Sequence, residues 1–124
     1  MTSRTGLLFA LPLAAVPSIA AASDIMGVWA RGDGKARVRV ERCGEDICAT
    51  NIWVRPGTRR EQVGDKLIMD VKPVAQSRYE GKARDVRRGL TYSIEISLDG
   101  AAMRTRGCIL GKLICKSADW TSVN

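Results

Sequence analysis

From about residue 23 onward, hydrophobic and polar positions take turns with a period of two, and helical spacing is not sustained over any long window. Leu90, Tyr92, Ile94, Ile96 and Leu98 share one face of a run whose other face is Thr91, Ser93, Glu95 and Ser97. Val38 and Val40 likewise face away from Arg37, Arg39 and Glu41. The alternation predicts eight strands, at residues 25–31, 36–43, 47–54, 66–74, 78–85, 90–98, 101–109 and 114–123. Tight turns separate most of them: Gly32-Asp33-Gly34, Arg87-Arg88-Gly89 and Asp99-Gly100. One connection is longer, an Arg-rich polar loop over 55–65 with room for a short helical turn. The fold class is therefore all-β. Eight short strands joined in sequence suit a small antiparallel up-and-down β-barrel or a two-sheet sandwich, and the barrel has the advantage of removing exposed strand edges.

The first 22 residues break the pattern. Arg4 gives a positive start, residues 7–16 are apolar, and Ala20-Ala21-Ala22 supplies small residues before a cut. This is the three-part arrangement of a secretory signal peptide, with Ser23 as the new N-terminus. A spanning helix needs about 20 apolar residues; this run is shorter and is broken by Pro12 and Pro17. The expectation is a signal peptide over 1–22, a single domain over 23–124, and a periplasmic or secreted location without a transmembrane anchor.

Four cysteines, Cys43, Cys48, Cys108 and Cys115, fit that compartment as structural disulfides. Each of the pairs Cys43–Cys48 and Cys108–Cys115 brackets a hairpin turn. Bridges closing such short loops stabilise by about 2 kcal/mol each. Zinc prefers tighter cysteine knuckles, so neither metal nor cofactor is expected. A turn at Glu45-Asp46 would set Cys43 opposite Cys48, Val38 opposite Trp53 and Val40 opposite Asn51. Pairing Cys108 with Cys115 sets Met103 opposite Trp120, Thr105 opposite Ala118 and Gly107 opposite Lys116 on an inward face. Arg104 then meets Asp119 on the outer face. The second turn is either Gly111-Lys112 or a four-residue loop over 110–113.

Charge and composition then narrow the chemistry. The 124 residues carry 20 Lys+Arg against 13 Asp+Glu, for a net charge of +7. The chain has no histidine, which excludes Ser-His-Asp triads, Cys-His dyads and imidazole proton shuttles. Asp85, Asp99 and Asp119 fall at turns or on exposed faces, and Glu41 and Glu95 point outward, so no paired carboxylates are expected and the protein is not expected to be an enzyme. Aromatic residues do not interleave with the basic runs, so nucleic acid is not an expected partner. Arg55, Arg59 and Arg60 in the long loop, and Lys82, Arg84, Arg87 and Arg88 near the next turn, are either solvated or meet an acidic partner.

Trp29, Trp53, Tyr92 and Trp120 either fill a small core or line a pocket, with Asn51 as an inward polar group. Lys116 is a cation on an apolar face. It either snorkels out at the barrel mouth or faces an acidic ligand group or an aromatic ring.

Several segments together resemble the bacterial exported family called domain of unknown function 2147. They are Gly27-Val28-Trp29; the run from Ala36 through Cys43-Gly44; Cys48 with Trp53 five residues on; Gly89-Leu90-Thr91-Tyr92; Arg106-Gly107-Cys108; and Leu113 through Cys115-Lys116 to Trp120-Thr121. The resemblance implies a lipocalin-like (calycin-like) barrel opened by a Gly-x-Trp strand, with Lys116 in the position of the basic residue that packs over that tryptophan. It brings no established activity. The expected function is binding, as a monomer, of a small apolar or amphipathic ligand through Trp29, Asn51, Trp53, Tyr92, Lys116 and Trp120. The alternative is an envelope interaction module or an inhibitor of a secreted hydrolase, acting through the loops.

Overall fold

The computed structural model describes residues 24–123; the leader expected over 1–22 lies outside them. Eight strands follow one another: β1 (Gly27–Arg31), β2 (Ala36–Cys43), β3 (Asp46–Val54), β4 (Lys66–Ala75), β5 (Arg78–Asp85), β6 (Leu90–Asp99), β7 (Ala102–Ile109) and β8 (Ile114–Ser122). Each pairs antiparallel with its neighbour, and β1 closes on β8, giving an up-and-down barrel. No helix occurs among the described residues, and the 55–65 loop is built of turns. The first strand begins two residues later than the alternation suggests: residues 24–26 are outside the ladder, and the Ile25 carbonyl accepts from the Trp29 indole instead.

Closure is the thinnest part of the wall. β1 meets β8 over Trp29–Ser122, Ala30–Thr121 and Arg31–Trp120. The Gly32 N–H adds a bond to the Asp119 carbonyl at 2.7 Å. A β-carbon at Gly32 would stand 3.2 Å from that same oxygen, which explains glycine at this close approach.

Up-and-down order puts alternate connections at opposite ends. Residues 32–35, 55–65, 86–89 and 110–113 form one end; 44–45, 76–77 and 100–101 form the other, together with residues 24–26. The second end is sealed. Trp29 is 2% exposed, Ile25 is 1% exposed, and the Trp29 indole N–H donates to the Ile25 carbonyl at 3.0 Å. Val38, Val40, Met69, Ala83, Ile94, Ile96 and Met103 complete the packed core.

The last hairpin has the expected register: Met103–Trp120, Arg104–Asp119, Thr105–Ala118, Gly107–Lys116 and Cys108–Cys115 are all opposite. Its loop is the four-residue one, 110–113. The Cys108 and Cys115 Cα atoms lie 4.1 Å apart, the close spacing of a non-hydrogen-bonded pair. Arg104 and Asp119 are both well exposed and 3.8 Å apart, so their pairing adds little.

The first hairpin differs from expectation. Its turn is Gly44-Glu45, with Gly44 at a φ of 74°, so Cys43 faces Asp46 and Cys48 faces Glu41. The Cys43–Cys48 disulfide is present but diagonal, with Cα atoms 5.7 Å apart. Val40 pairs with Ala49 and Val38 with Asn51, in place of the expected Asn51 and Trp53. A bulge then follows, since Arg37 faces Trp53 and leaves Ile52 as the extra residue.

Candidate ligand-binding cavity

The barrel interior is filled toward the sealed end and open toward the other. Ala49, Thr105, Gly107 and Ala118 are small inward residues, and they cannot meet across the barrel. The result is a cavity of about 1120 Å³ that opens at the mouth between the loops. Its wall below the rim is apolar, built from Val40, Met69, Ile94 and Met103, with Val38 and Leu67 nearer the mouth. Leu67, Tyr92 and Trp120 face inward yet are only partly buried, as expected of side chains that look into space.

Four of the six residues singled out from the sequence line this space: Asn51, Tyr92, Lys116 and Trp120. The Trp120 indole N–H donates to the Thr105 hydroxyl at 3.0 Å, which fixes its ring against the wall. Burial pushes the Tyr92 phenol above its ordinary pKa, and the Asp85 carboxylate beside it adds to the effect. Asn51 is an anchor for the long loop. Its N–H donates to the Asp65 carbonyl and its carbonyl accepts from Gly64, both at 2.8 Å, while its side-chain amide reaches the Gln62 carbonyl at 3.4 Å.

The other two lie elsewhere. Trp29 sits below the cavity in the sealed end. Trp53 is turned outward by the bulge and is 42% exposed, with the Arg37 guanidinium 5.9 Å from its ring centre. Lys116 does not pack over Trp29. Trp29 faces Ser122, six residues further down β8, which at about 3.3 Å per residue is roughly 20 Å away. Lys116 is exposed on the cavity rim instead. The cation over an aromatic ring at the β1–β8 seam is Arg31, 6.0 Å from the centre of Trp120.

Asp85, expected at a turn or on an exposed face, is buried. It is 4% exposed and faces inward at the mouth end of β5. One carboxylate oxygen accepts from the Arg88 N–H at 3.0 Å, and the other from the Arg88 guanidinium at 2.7 Å. The sequence signal was an Asp opening a turn, whose side chain caps a backbone N–H three residues on.

The 55–65 loop is strapped across the mouth from both sides. On one side the Arg31 guanidinium donates two bonds to Glu61, at 2.9 and 2.8 Å, and its Nε bonds Asp33 at 3.0 Å. On the other, Arg87 donates through two nitrogens to Asp65, one at 2.9 Å, and both Arg87 and Arg88 reach the Arg60 carbonyl. The Arg87 guanidinium holds the Asp65 carboxyl below the usual aspartate value despite its burial. Burial pushes Asp33 up, but bonds from Arg31 and the Lys35 N–H outweigh it and leave a net lowering.

Carboxyls lowered in the folded state stabilise fully above the unfolded aspartate value of about 3.9, and that contribution is lost as pH falls through the lower folded value. Asp65→Asn is therefore expected to lower the urea midpoint at pH 6, with the gap to wild type closing below about pH 3.9. A gap that stays constant down to pH 2 would show that the strap does not depend on the Asp65 charge.

The strap leaves an imbalance. Of the five carboxylates on the cavity lining, Asp33, Glu61, Asp65 and Asp85 are held by arginines at the mouth, and Asp119 is exposed and 3.8 Å from Arg104. Lys35, Arg55, Arg59, Lys66 and Lys116 line the same space, and none forms an ion pair among the described residues.

The profile of a bacterial family described as an uncharacterized protein conserved in bacteria, DUF2147, matches residues 27–122. The chain belongs to DUF2147. The match runs from the first residue of β1 to the last of β8, so the DUF2147 unit is the whole closed barrel. No curated protein and no solved structure is found to match the chain. The cavity and the rim are the features of this DUF2147 barrel suited to binding.

Proposed function

We propose that this protein is an exported, non-catalytic carrier that holds a small amphipathic molecule with an acidic group inside its barrel. The observation that carries the reading is the division of the cavity, apolar below and lined above by cations without carboxylate partners. Its volume of about 1120 Å³ exceeds the 300–1,000 Å³ usual for small-molecule sites, as befits an open mouth. In this reading the apolar body packs against Leu67, Met69 and Ile94, and the acidic group meets Lys116. Asn51, Tyr92 and Trp120 contribute to the walls.

Export is supported by the signal-like residues 1–22, and the two disulfides belong to an oxidising, extracytoplasmic compartment. The competing reading, a loop-borne inhibitor, rests on the Arg55–Arg60 loop and on the basic turn of Lys82, Arg84, Arg87 and Arg88. Arg87 and Arg88 there are committed to Asp65, Asp85 and the Arg60 carbonyl, so they support it less.

Calorimetric titration with dodecanoate and dodecylamine, which share a tail and differ in charge, tests the proposal. Dodecanoate is expected to bind and dodecylamine to bind much more weakly. Lys116→Glu should weaken dodecanoate about tenfold, since a hydrogen bond to a charged group contributes about 1.5–3 kcal/mol. Native mass spectrometry of protein purified without denaturation should show a releasable added mass. Binding of the amine as tightly as the acid, or of neither, overturns the reading.

A further inference from the structure

The two ends of the barrel differ in more than openness. Among the described residues, nine large apolar side chains are well exposed. Seven of the nine lie in or beside the loops of the mouth end, Val63, Val86, Leu90, Leu110, Leu113 and Ile114 among them; only Val74 and Val123 lie toward the other. Charge follows the same axis. The four mouth loops carry seven basic side chains against three acidic ones, while the connections of the sealed end and residues 24–26 carry two acidic and no basic ones.

The hairpin of β7 and β8 concentrates both features. Its loop bears Leu110 and Leu113, which is 83% exposed, with Ile114 beside them, Lys116 alongside, and Lys112 half-exposed at 3.8 Å from Glu95. The loop is not slack. The β7–β8 ladder runs up to Ile109–Ile114, and the Cys108–Cys115 disulfide crosses one rung below. Leu110 and Lys112 hold φ values of 54° and 73°, a left-handed conformation uncommon for such side chains. A leucine kept in that conformation and pointed at water is an unfavourable arrangement unless something covers it.

We propose that the mouth end docks on an anionic lipid bilayer, with Leu110, Leu113 and Ile114 entering the headgroup–acyl boundary and the rim cations meeting lipid phosphates. Apolar side chains interleaved with lysine and arginine are the combination that interfacial membrane binding uses. The rim favours a bilayer over a folded protein partner because its apolar residues come from separate loops around an opening. A fluid surface accommodates such an uneven ring without shape complementarity. The rigid hairpin tip is presented without an ordering cost. The proposal stands on the rim alone and does not require the cavity to hold a ligand.

Flotation of the protein with phosphatidylcholine vesicles, with and without phosphatidylglycerol, tests it. Binding is expected to the phosphatidylglycerol vesicles, to be much weaker on phosphatidylcholine, and to fall as salt rises. The double variant Leu110→Ser/Leu113→Ser should bind at least tenfold more weakly, and Lys112→Glu should also weaken binding. Val74→Ser, at the other end, should bind like wild type. The tip residues are exposed, so these variants should keep the wild-type unfolding midpoint. No vesicle binding, equal binding to both lipids, or a tip variant that binds like wild type overturns the proposal and leaves the apolar rim to a protein partner.

Discussion

Trp29→Ala is expected to cost about 4 kcal/mol of folding stability, within the range for deleting a fully buried aromatic side chain. Trp29 belongs to β1, the strand with the shortest closing ladder, and it plugs the sealed end. Truncation removes the largest side chain of the buried core and leaves a void inside the sealed end. It also leaves the Ile25 carbonyl without the indole N–H. Residues 24–26, which lie across that end, lose their tie to the barrel. Trp29→Phe separates the two contributions. It keeps most of the packing and loses the hydrogen bond, so about 1–2 kcal/mol is expected. Urea unfolding followed by far-ultraviolet circular dichroism reads both. A loss below 1 kcal/mol for the alanine variant would mean that Trp29 does not carry the closed end and that the barrel is plugged by something else.

Period two made this fold readable. Strands β2 and β5 have the boundaries the alternation predicts, and the others differ by one or two residues at an end. Faces survived even where partners did not. The first hairpin is shifted by two residues from the expected pairing, because glycine takes the left-handed turn position at Gly44 and moves the turn back by one residue. A two-residue shift returns every side chain to the same face, so Asn51 still points inward, now opposite Val38. The bulge at Ile52 is a one-residue shift, and it alone moved Trp53 from the interior to the surface. Nothing in the hydrophobic pattern marks it, since Ile52 and Trp53 are both apolar.

Asp85 shows a related limit. Alternation along β5 puts it on the inner face with Ala83, but its charge and its place before a turn argue for solvent. Folding resolves the conflict with Arg88, which comes round the turn to satisfy both oxygens. The rim was legible as charge but not as geometry. The basic residues were plain in the sequence. Which of them remain without partners depended on how Glu61 and Asp65 fold back across the mouth. The cavity was legible least of all. A pattern says which side chains face inward, whereas the space left between them depends on where small ones such as Gly107 and Ala118 fall around the circumference.

Two glycines of the barrel wall are expected to respond in opposite ways to one added methyl group. At Gly81 on β5 a β-carbon would stand 1.9 Å from the Asp70 carbonyl oxygen and 2.8 Å from the Val71 Cα. Both obstacles are backbone, so no rotamer change relieves them. The β4–β5 ladder, which pairs Val71 with Gly81 and Asp70 with Lys82, has to open locally. Gly81→Ala is therefore expected to cost about 3 kcal/mol, the upper part of the range for overpacking. At Gly107 on β7 nothing lies within 4 Å of the added carbon, and the residue faces Lys116 across the cavity wall. Gly107→Ala should be neutral or stabilising by about 0.5 kcal/mol, because alanine loses less backbone freedom on folding into a strand. Thermal unfolding of the two variants beside wild type reads the contrast. If both shift the midpoint equally, the close approach of β4 and β5 at Gly81 is not a constraint, and the free space at Gly107 is not free. If only Gly81→Ala falls, the same wall that is tight at one rung is open at another, as a barrel with a real cavity requires.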